Sequence, residues 1–561
     1  MEGKKIIAII PARGGSKGIP RKNIRLLNGK PLLWYIINSA KKSSVFDKIV
    51  VTTDDEEISE ISKLYGVDAV ERPPELAKDD VTLDPVVYHA ASITELKDDI
   101  KYDIIVTLQP TAPLTRSETI KKAVEIFTKN IYDTLISVER YKHLYWIKKD
   151  NEFKPLYAKR KNRQYLEPIY KETGAILICK REILSKDSRI GKKLFLFEIS
   201  KEEAIDIDDG IDWIVTKSIL KKLKIAFVVN GDYDIGLGHV YRALTLASRL
   251  TLNEIFFVMD GKKELGITKV KDYFYPIKTY NSEKELIEIL RELKPEIVIN
   301  DILDTTESYI KSLKKTDFFV VNFEDLGEGS KYADIVFNAL YEWSDAPKNH
   351  YYGYKYECLR EQFYLFPPKT TINNVENLLI TFGGTDQNNL TFRTLKILYE
   401  LGLKDIIIKL ILGLGYKHDE QLYKLISKMI QEGFRVDFMK DVKIMAKHMY
   451  DSNLIICSNG RTVYEAASLG IPMITISQNE REVRHLFSNI CKGIINLGLA
   501  QLLTDDEIKK TIRKILEDSE MVKNMHKEIL KYSHIIRKGY NKVISLILER
   551  YYKLNNISAS P

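Results

Sequence analysis

Between residues 11 and 23 the chain reads PARGGSKGIPRKN, in which Arg13, Lys17, Arg21 and Lys22 are interleaved with Gly14, Gly15 and Gly18. Glycines let backbone N–H groups come close to a ligand, and the cations neutralise phosphate charge. The stretch contains neither GxxxxGK[ST] nor GxGxxG, so it is not a P-loop or a dinucleotide fingerprint. A triphosphate that releases pyrophosphate needs a cradle of this kind. A second pattern is AIDID (204–208), where Asp206 and Asp208 stand two apart on a strand-like segment and face one side. Hard oxygen ligands on one face suit Mg²⁺, which keeps several waters and bridges substrate oxygens. As plain structure, Asp208 or Asp209 caps a helix starting near Gly210, and both readings can hold together. A third pattern is GLGHVYR (236–242): Gly236 and Gly238 precede a helix, with His239 at its N-terminus. Such a terminus favours anionic groups. There an imidazole can act as general base toward water, donate to a leaving diphosphate, or simply cap its helix.

These residues must be held by a scaffold, and the hydrophobic pattern predicts which. IIAIIPA, KIVVTTD, YDIIVTLQP, DTLISVE and GAILICK read as strands, with helices such as PLLWYIINSAKKS and DEEISEISKLYG between them. This βαβ rhythm predicts an α/β fold with a mainly parallel sheet. The rhythm restarts at KIAFVVNGDYDIGLGH near residue 223 and again at NLLITFGGTD, after the turn-rich LFPPKTTINN. The boundaries read as one domain over 1–222, two similar lobes over 223–368 and 369–545, and a frayed tail over 546–561.

Composition narrows the class. A chain of 561 residues with 44% apolar and 29% charged residues has material for several cores. The net charge of +8, from 86 Lys and Arg against 78 Asp and Glu, is too dilute to point to nucleic acid. Cys179, Cys358, Cys457 and Cys491 form no CxxC pair or His/Cys cluster, which fits a reducing cytoplasm and no zinc site. No apolar run approaches the ~18 residues of a membrane span. The first apolar segment runs directly into Pro11-Ala12-Arg13 and is too short for a signal peptide.

The motif PARGGSKGIPRKN resembles the signature of the CMP-sialic acid synthetases, the acylneuraminate cytidylyltransferases. The resemblance continues through VTTDDEEI (51–58), ERPPEL (71–76), LQPTAPL (108–114), NRQ (162–164), GAI (174–176) and AIDID (204–208), in that order. It implies a Rossmann-like nucleotidyltransferase domain that joins CTP to a nine-carbon 2-keto sugar acid (a nonulosonic acid such as a sialic, legionaminic or pseudaminic acid), releasing pyrophosphate. It implies Arg13 and Lys17 as catalytic residues. Ser16, Arg21, Lys22 and Asn23 would hold CTP, and Arg72 and Gln109 would sit around nucleotide and sugar. Arg163 would meet the acid's carboxylate, Asp206 and Asp208 would bind Mg²⁺, and the assembly would be a homodimer. Two positions depart from the family pattern: Thr173 stands where Asn precedes GAI, and Thr52 stands where Ser is usual.

In the second half, GLGHVYRALTLASRL resembles the GxGHxxR element of the pseudaminic-pathway UDP-sugar hydrolases and of spore-coat polysaccharide proteins. TFGGTD (381–386) and SNGRTVYEAASLGIP (458–472) resemble the later motifs of that group. The resemblance implies a two-lobed GT-B-like domain that binds a UDP-sugar without metal. Gly383 and Gly384 would let a second helix N-terminus approach diphosphate. Glu465 would accept from ribose hydroxyls (or be an ordinary exposed carboxylate), with Asn459, Gly460 and Thr462 in the same pocket. His239 would serve as base while water releases a 2,4-diacetamido-trideoxy-hexose. The alternatives for this half are a glycosyltransferase and a non-catalytic nucleotide-sugar-binding domain. For the first half the rival is a nucleotidyltransferase activating an eight-carbon acid, against which the separate NRQ and GAI motifs speak.

Overall fold

The computed structural model of the chain describes residues 3–16, 18–232, 236–341 and 347–555, so Lys17 lies outside the described residues. The chain forms two compact units, Met1–Lys222 and Leu223–Pro561.

In the first unit the apolar run near the start becomes the strand Ile6–Pro11, buried along its whole length. A strand covered on both faces needs such an unbroken run. It is central in a seven-stranded sheet with the order Leu194–Glu198, Thr134–Tyr141, Ile169–Lys180, Ile104–Leu108, Ile6–Pro11, Lys48–Thr53, Asp68–Glu71. Pairing is parallel except at Ile169–Lys180, which runs antiparallel to both neighbours. No helix follows Thr134–Tyr141, and without a crossover helix the chain returns in the opposite direction. The helix Leu32–Ser43 buries Leu33, Ile36, Ile37 and Ala40, one stripe at helical spacing, against the central strands.

The second unit holds two all-parallel sheets. The first runs Ile277–Tyr280, Glu254–Asp260, Lys224–Val229, Ile297–Asp301, Phe319–Phe323, Ile335–Asn338, His350–Tyr352. The second runs Arg435–Lys440, Ile407–Leu412, Asn377–Thr381, Leu454–Ser458, Met473–Ser477, Ile494–Leu499. In both, the strand that comes first in the chain, Lys224–Val229 or Asn377–Thr381, lies inside the sheet. Ligand crevices form at such switch points, beyond the carboxyl ends of the strands.

The tail predicted over 546–561 is corrected. Residues up to Leu554 belong to the helix Gly539–Leu554, whose Val543, Ile547 and Tyr551 enter the core of the first lobe. Tyr551 meets Phe319 edge-on, 5.7 Å between ring centres. The spacing of 543, 547 and 551 gives one apolar helical stripe, and the only place to bury it is back across the first lobe. The lobes are therefore not two consecutive blocks of sequence. The predicted tail residues 556–561 lie outside the described residues.

Candidate active sites

Three loops meet at the carboxyl ends of neighbouring strands in the first unit. The opening loop leaves Ile6–Pro11, the loop beginning at Gln109 leaves Ile104–Leu108, and the acidic Asp54-Asp55 turn leaves Lys48–Thr53. Hydrogen bonds lock them to the AIDID segment. Lys22 Nζ donates to the Ile207 carbonyl at 2.5 Å and lies 3.6 Å from Asp208 Oδ1. Ile207 N–H donates to the Thr111 carbonyl at 2.8 Å. Gly18 is forced by this approach, because a Cβ there would collide with the Asp208 carbonyl oxygen. Gly14 donates its N–H to Asp54 Oδ1 at 3.0 Å, and a Cβ there would come within 2.6 Å of Asp55 Oδ2. Gly15 has open space on its Cβ side.

Two residues expected to hold the triphosphate instead hold the loop. Asn23 is buried and donates Nδ2–H to the Arg13 carbonyl at 2.9 Å. Arg21, in the left-handed region at φ 57°, reaches Asp55 Oδ2 at 2.5 Å and also pairs with Glu57. Asp55 in turn caps the helix Glu56–Leu64 by accepting from Ile58 N–H at 3.0 Å. Burial would raise the Asp55 carboxyl, but that N–H and the Arg21 charge outweigh it and hold it below the usual carboxylate range. Arg13 pairs with Asp79 at 2.8 Å. Ser16 is half-buried on the same loop.

Arg72 is buried and donates to the Thr52 carbonyl at 2.8 Å, with its Nε unpartnered among the described residues. Burial lowers its guanidinium to about 10. Gln109 packs on Gly174, where a Cβ would lie 2.9 Å from its amide, so the small residue sets its position. Thr173 turns its hydroxyl to Ser137 Oγ at 2.7 Å. Arg163 is the outlier. It sits exposed on the short 3₁₀ turn Arg163–Tyr165, in a surface depression with Leu144, Arg160 and Lys161 rather than with the three loops.

The segment 204–208 is a loop and not the strand-like piece that was predicted. Ile207 is fully buried among Ile19, Leu27 and Leu32, while Asp206 is half-buried and Asp208 exposed. Asp209 takes the capping role, accepting from Ile211 and Asp212 N–H at 2.7 and 3.0 Å in a capping box. That leaves Asp206 and Asp208 for a ligand. Asp206 Oδ1 is buried with no partner among the described residues. Burial first, and the Asp208 charge after it, raise its carboxyl above the usual range, with the nearby Thr111 hydroxyl opposing them. A buried orphan oxygen beside an exposed carboxylate fits a hard divalent cation. No group of three or more His, Cys, Asp and Glu forms a metal cluster among the described residues. Substrate oxygens and water would complete such a site, as is usual for Mg²⁺.

In the second unit a cavity of about 390 Å³ lies among the loops at the carboxyl ends of both sheets. Gly236, Gly238, Gly383, Gly384, Gly460, Thr462 and Glu465 line it. The two glycine loops approach closely: a Cβ on Gly384 would stand 3.9 Å from Gly236 Cα. Gly413 has no room for a Cβ against the carbonyls of Gly383 and Gly384.

His239 lies in the first turn of the helix Gly238–Arg249, with Nδ1 2.5 Å from Asp301 Oδ1. Asp301 ends the strand Ile297–Asp301. An ionised Asp301 accepts, so Nδ1 carries the proton and Nε2 is left with its lone pair. Burial would raise the Asp301 carboxyl, but Arg242 and then His239 hold it below its ordinary value. Arg242, fully buried, donates to Asp301 at 2.5 and 2.6 Å and to Glu324 at 2.9 Å.

Three expectations change here. The helix Leu390–Glu400 that follows Gly383-Gly384 has its first N–H groups occupied, since Asp386 accepts from Leu390 and Thr391 at 2.8 Å. The glycines therefore line the cavity without opening a helix N-terminus to it. Asn459 gives its amide protons to the carbonyls of Glu482 and His485 at 2.9 and 3.0 Å, and holds that loop. Glu465 is not an exposed helix carboxylate. It is buried and gripped through both oxygens by Arg360 at 2.6 and 2.8 Å. Arg242, Asp301, Glu357, Arg360 and Arg461 were not singled out in the sequence. Arg242 and Arg461 carried a local signal, as the Arg of GLGHVYR and of SNGRTVYEAASLGIP.

Residues 7–202 match the cytidylyltransferase family. The N-acylneuraminate cytidylyltransferase of Escherichia coli is 37% identical over 227 residues, covering 39% of this chain and 52% of that protein. The post-translational flagellin modification protein B of Campylobacter coli is 33% identical over 225 residues, covering 39% of this chain and 96% of that protein. An uncharacterized protein of Methanocaldococcus jannaschii is 31% identical over 297 residues, covering 50% of this chain and 60% of that protein. The chain thus spans about half, or somewhat more, of the length of the first curated relatives it matches. The archaeal match is too long to lie within Met1–Lys222, so it takes in part of the second unit.

Proposed function

Because the chain belongs to the cytidylyltransferase family through its first unit, we propose that this unit transfers CMP from CTP to a sialic-type nonulosonic acid and releases pyrophosphate. The observation that carries this reading is the joining of the opening loop to AIDID by Lys22 on Ile207 and by Gly18 against Asp208. That contact brings a cation- and glycine-rich loop against two carboxylates at the end of the central strand. Phosphoryl-type transfer is mostly positioning and charge stabilisation. Arg13 and Lys22, with Lys17 from the same loop, supply positive charge for the triphosphate, and the open face at Gly15 admits it. Asp206 and Asp208 would hold Mg²⁺, which when bound offsets charge on the phosphate oxygens. Arg72 and Gln109 flank the same strand ends and orient nucleotide and sugar. Thr173, its hydroxyl engaged by Ser137, leaves the sugar's substituent unread at that position. The test is pyrophosphate release from CTP and Mg²⁺ with N-acetylneuraminic, legionaminic and pseudaminic acids in parallel. Turnover with one of them supports the reading, and none with any acid despite CTP binding removes it.

The second unit is read as a nucleotide-sugar site in the cavity between its sheets, with His239 as base and Asp301 orienting it. Water as the attacking group would make it a UDP-sugar hydrolase, and an acceptor hydroxyl would make it a glycosyltransferase. UDP release that does not depend on an added acceptor separates the two.

The first unit is also read as a homodimer. The hairpin of Trp146–Lys149 and Glu152–Pro155 exposes Trp146, Ile147 and Phe153 on two strands that pair only with each other. A two-stranded ribbon is marginal in water without a covering surface, and a second copy would provide one. Light scattering of the Trp146→Ser/Phe153→Ser variant should report a monomer where the parent reports a dimer.

A further inference from the structure

Behind the cavity of the second unit lies a cluster of buried carboxylates, of which Glu357 lines the cavity itself. Asp301, Glu324 and Glu357 are each 2% exposed. Arg242 and Arg461 reach these three with their guanidinium groups, and Arg481, which donates to the Glu324 carbonyl at 3.2 Å, adds its charge beside Glu324. Arg242 binds both oxygens of Asp301 and one of Glu324. Arg461 reaches Glu357 at 3.3 Å and Glu324 at 3.6 Å. The neighbouring pair of Arg360 and Glu465 balances itself. The cations are shared unevenly, Arg481 lying on the Glu324 side, and a buried carboxylate short of counter-charge is relieved by binding a proton.

The geometry says where that proton belongs. Asp301 has two bonds from Arg242 and one from His239. Glu324 has Arg242 at 2.9 Å on Oε1 and the Arg481 charge nearby, although its Oε2 is also without a partner among the described residues. Glu357 has a single long contact to Arg461, and its Oε2 has no partner among the described residues. Burial accordingly pushes the Glu357 carboxyl up to about 8, and that of Glu324 to about 7. Glu357 also lines the cavity, beside Gly238, Arg242 and Arg461.

We propose that Glu357 stands in this cleft as a neutral carboxylic acid and donates its O–H to a diphosphate oxygen of the bound nucleotide sugar. This rests on the nucleotide-sugar reading of the second unit. The same cavity wall offers a diphosphate the Gly238, Gly383 and Gly460 backbone and the Arg461 cation. An ionised carboxylate among them would repel the ligand, whereas a protonated one adds a donor.

The affinity for UDP should therefore fall as pH rises through the Glu357 titration. Arg242, Arg360 and Arg461 stay cationic throughout. Asp301 and Glu465 are common to parent and variant, while Glu324, raised to about 7, and the cavity-lining Glu482, raised to about 6, leave a residual pH dependence in both. With the full chain, calorimetric titration with UDP at pH 7 and pH 9 should give about a tenfold loss of affinity in the parent. Glu357→Gln, which keeps a neutral donor of the same shape, should lose clearly less, no more than about threefold. Infrared difference spectra without ligand give an independent reading. The part of the carboxylic acid C=O band at pH 7 that Glu357→Gln lacks should vanish from the parent at pH 10. A parent lacking that part of the band, as when the proton resides on His239, overturns the proposal, and so does a UDP affinity that is flat with pH. A parent that binds no UDP at any pH overturns the nucleotide reading and with it the diphosphate partner, while the infrared band reports the Glu357 proton separately.

Discussion

At the scale of single residues, several motif positions divide into those that meet a ligand and those that build the place where it is met. Asp209 caps a helix, and Asp206 and Asp208 are thereby left free of that duty. Arg21 and Asn23 hold the opening loop, while Arg13 and Lys22 lie beside acidic groups that a phosphate would displace or share. In the second unit, Asp301 acts through His239. Asp301→Asn keeps the shape but no longer fixes the proton on Nδ1. Turnover of a UDP-sugar should drop about 100-fold or more, in the range of lost general-base catalysis, with UDP affinity within about twofold. Steady-state kinetics with a UDP titration checks this, and equal losses in both would mean that Asp301 only supports the fold. The sequence could not single out Asp301, because one Asp ending an apolar strand has no local signature. Its role comes from a strand and a helix separated by about sixty residues of chain.

At the scale of elements, close approach of backbone to backbone decides more than side-chain chemistry. Gly18 is needed because the loop rides on the Asp208 carbonyl. Gly18→Ala should force the two apart, cutting pyrophosphate release at least tenfold while the melting temperature of the first unit moves by no more than about 2 °C. Activity and calorimetry measured together would reveal the opposite outcome, a destabilised unit with intact turnover. The last helix makes a different kind of contribution. Ile547 is 4% exposed in the core of the first lobe. Ile547→Ala should destabilise the second unit by about 2–4 kcal/mol, seen as a lower denaturant midpoint. A change below about 0.5 kcal/mol would mean that the helix docks only loosely. Helical periodicity at 543, 547 and 551 was present in the sequence, but the lobe that receives it is set only by tertiary packing.

At the scale of the whole molecule, the two units carry separate candidate sites, each complete on its own strands. Asp208→Ala should abolish pyrophosphate release from CTP, by at least about 100-fold, and leave UDP binding and UDP release by the second unit unchanged. Assaying both activities on one preparation checks it, and joint loss would end the two-site reading. The sequence by itself determined the three α/β sheets, because unbroken β-branched runs alternating with amphipathic stretches admit little else. It also singled out the loops proposed for the chemistry, because glycine, cation and carboxylate at fixed spacing are local properties. Only the tertiary structure decided the antiparallel turn of Ile169–Lys180, the return of the last helix to the first lobe, the grip of Arg360 on Glu465, and the buried, unpartnered oxygen of Glu357. Each of these depends on which distant segments share a low-dielectric interior. Charge balance and packing there are sums over neighbours in space, and neighbours along the chain do not specify them.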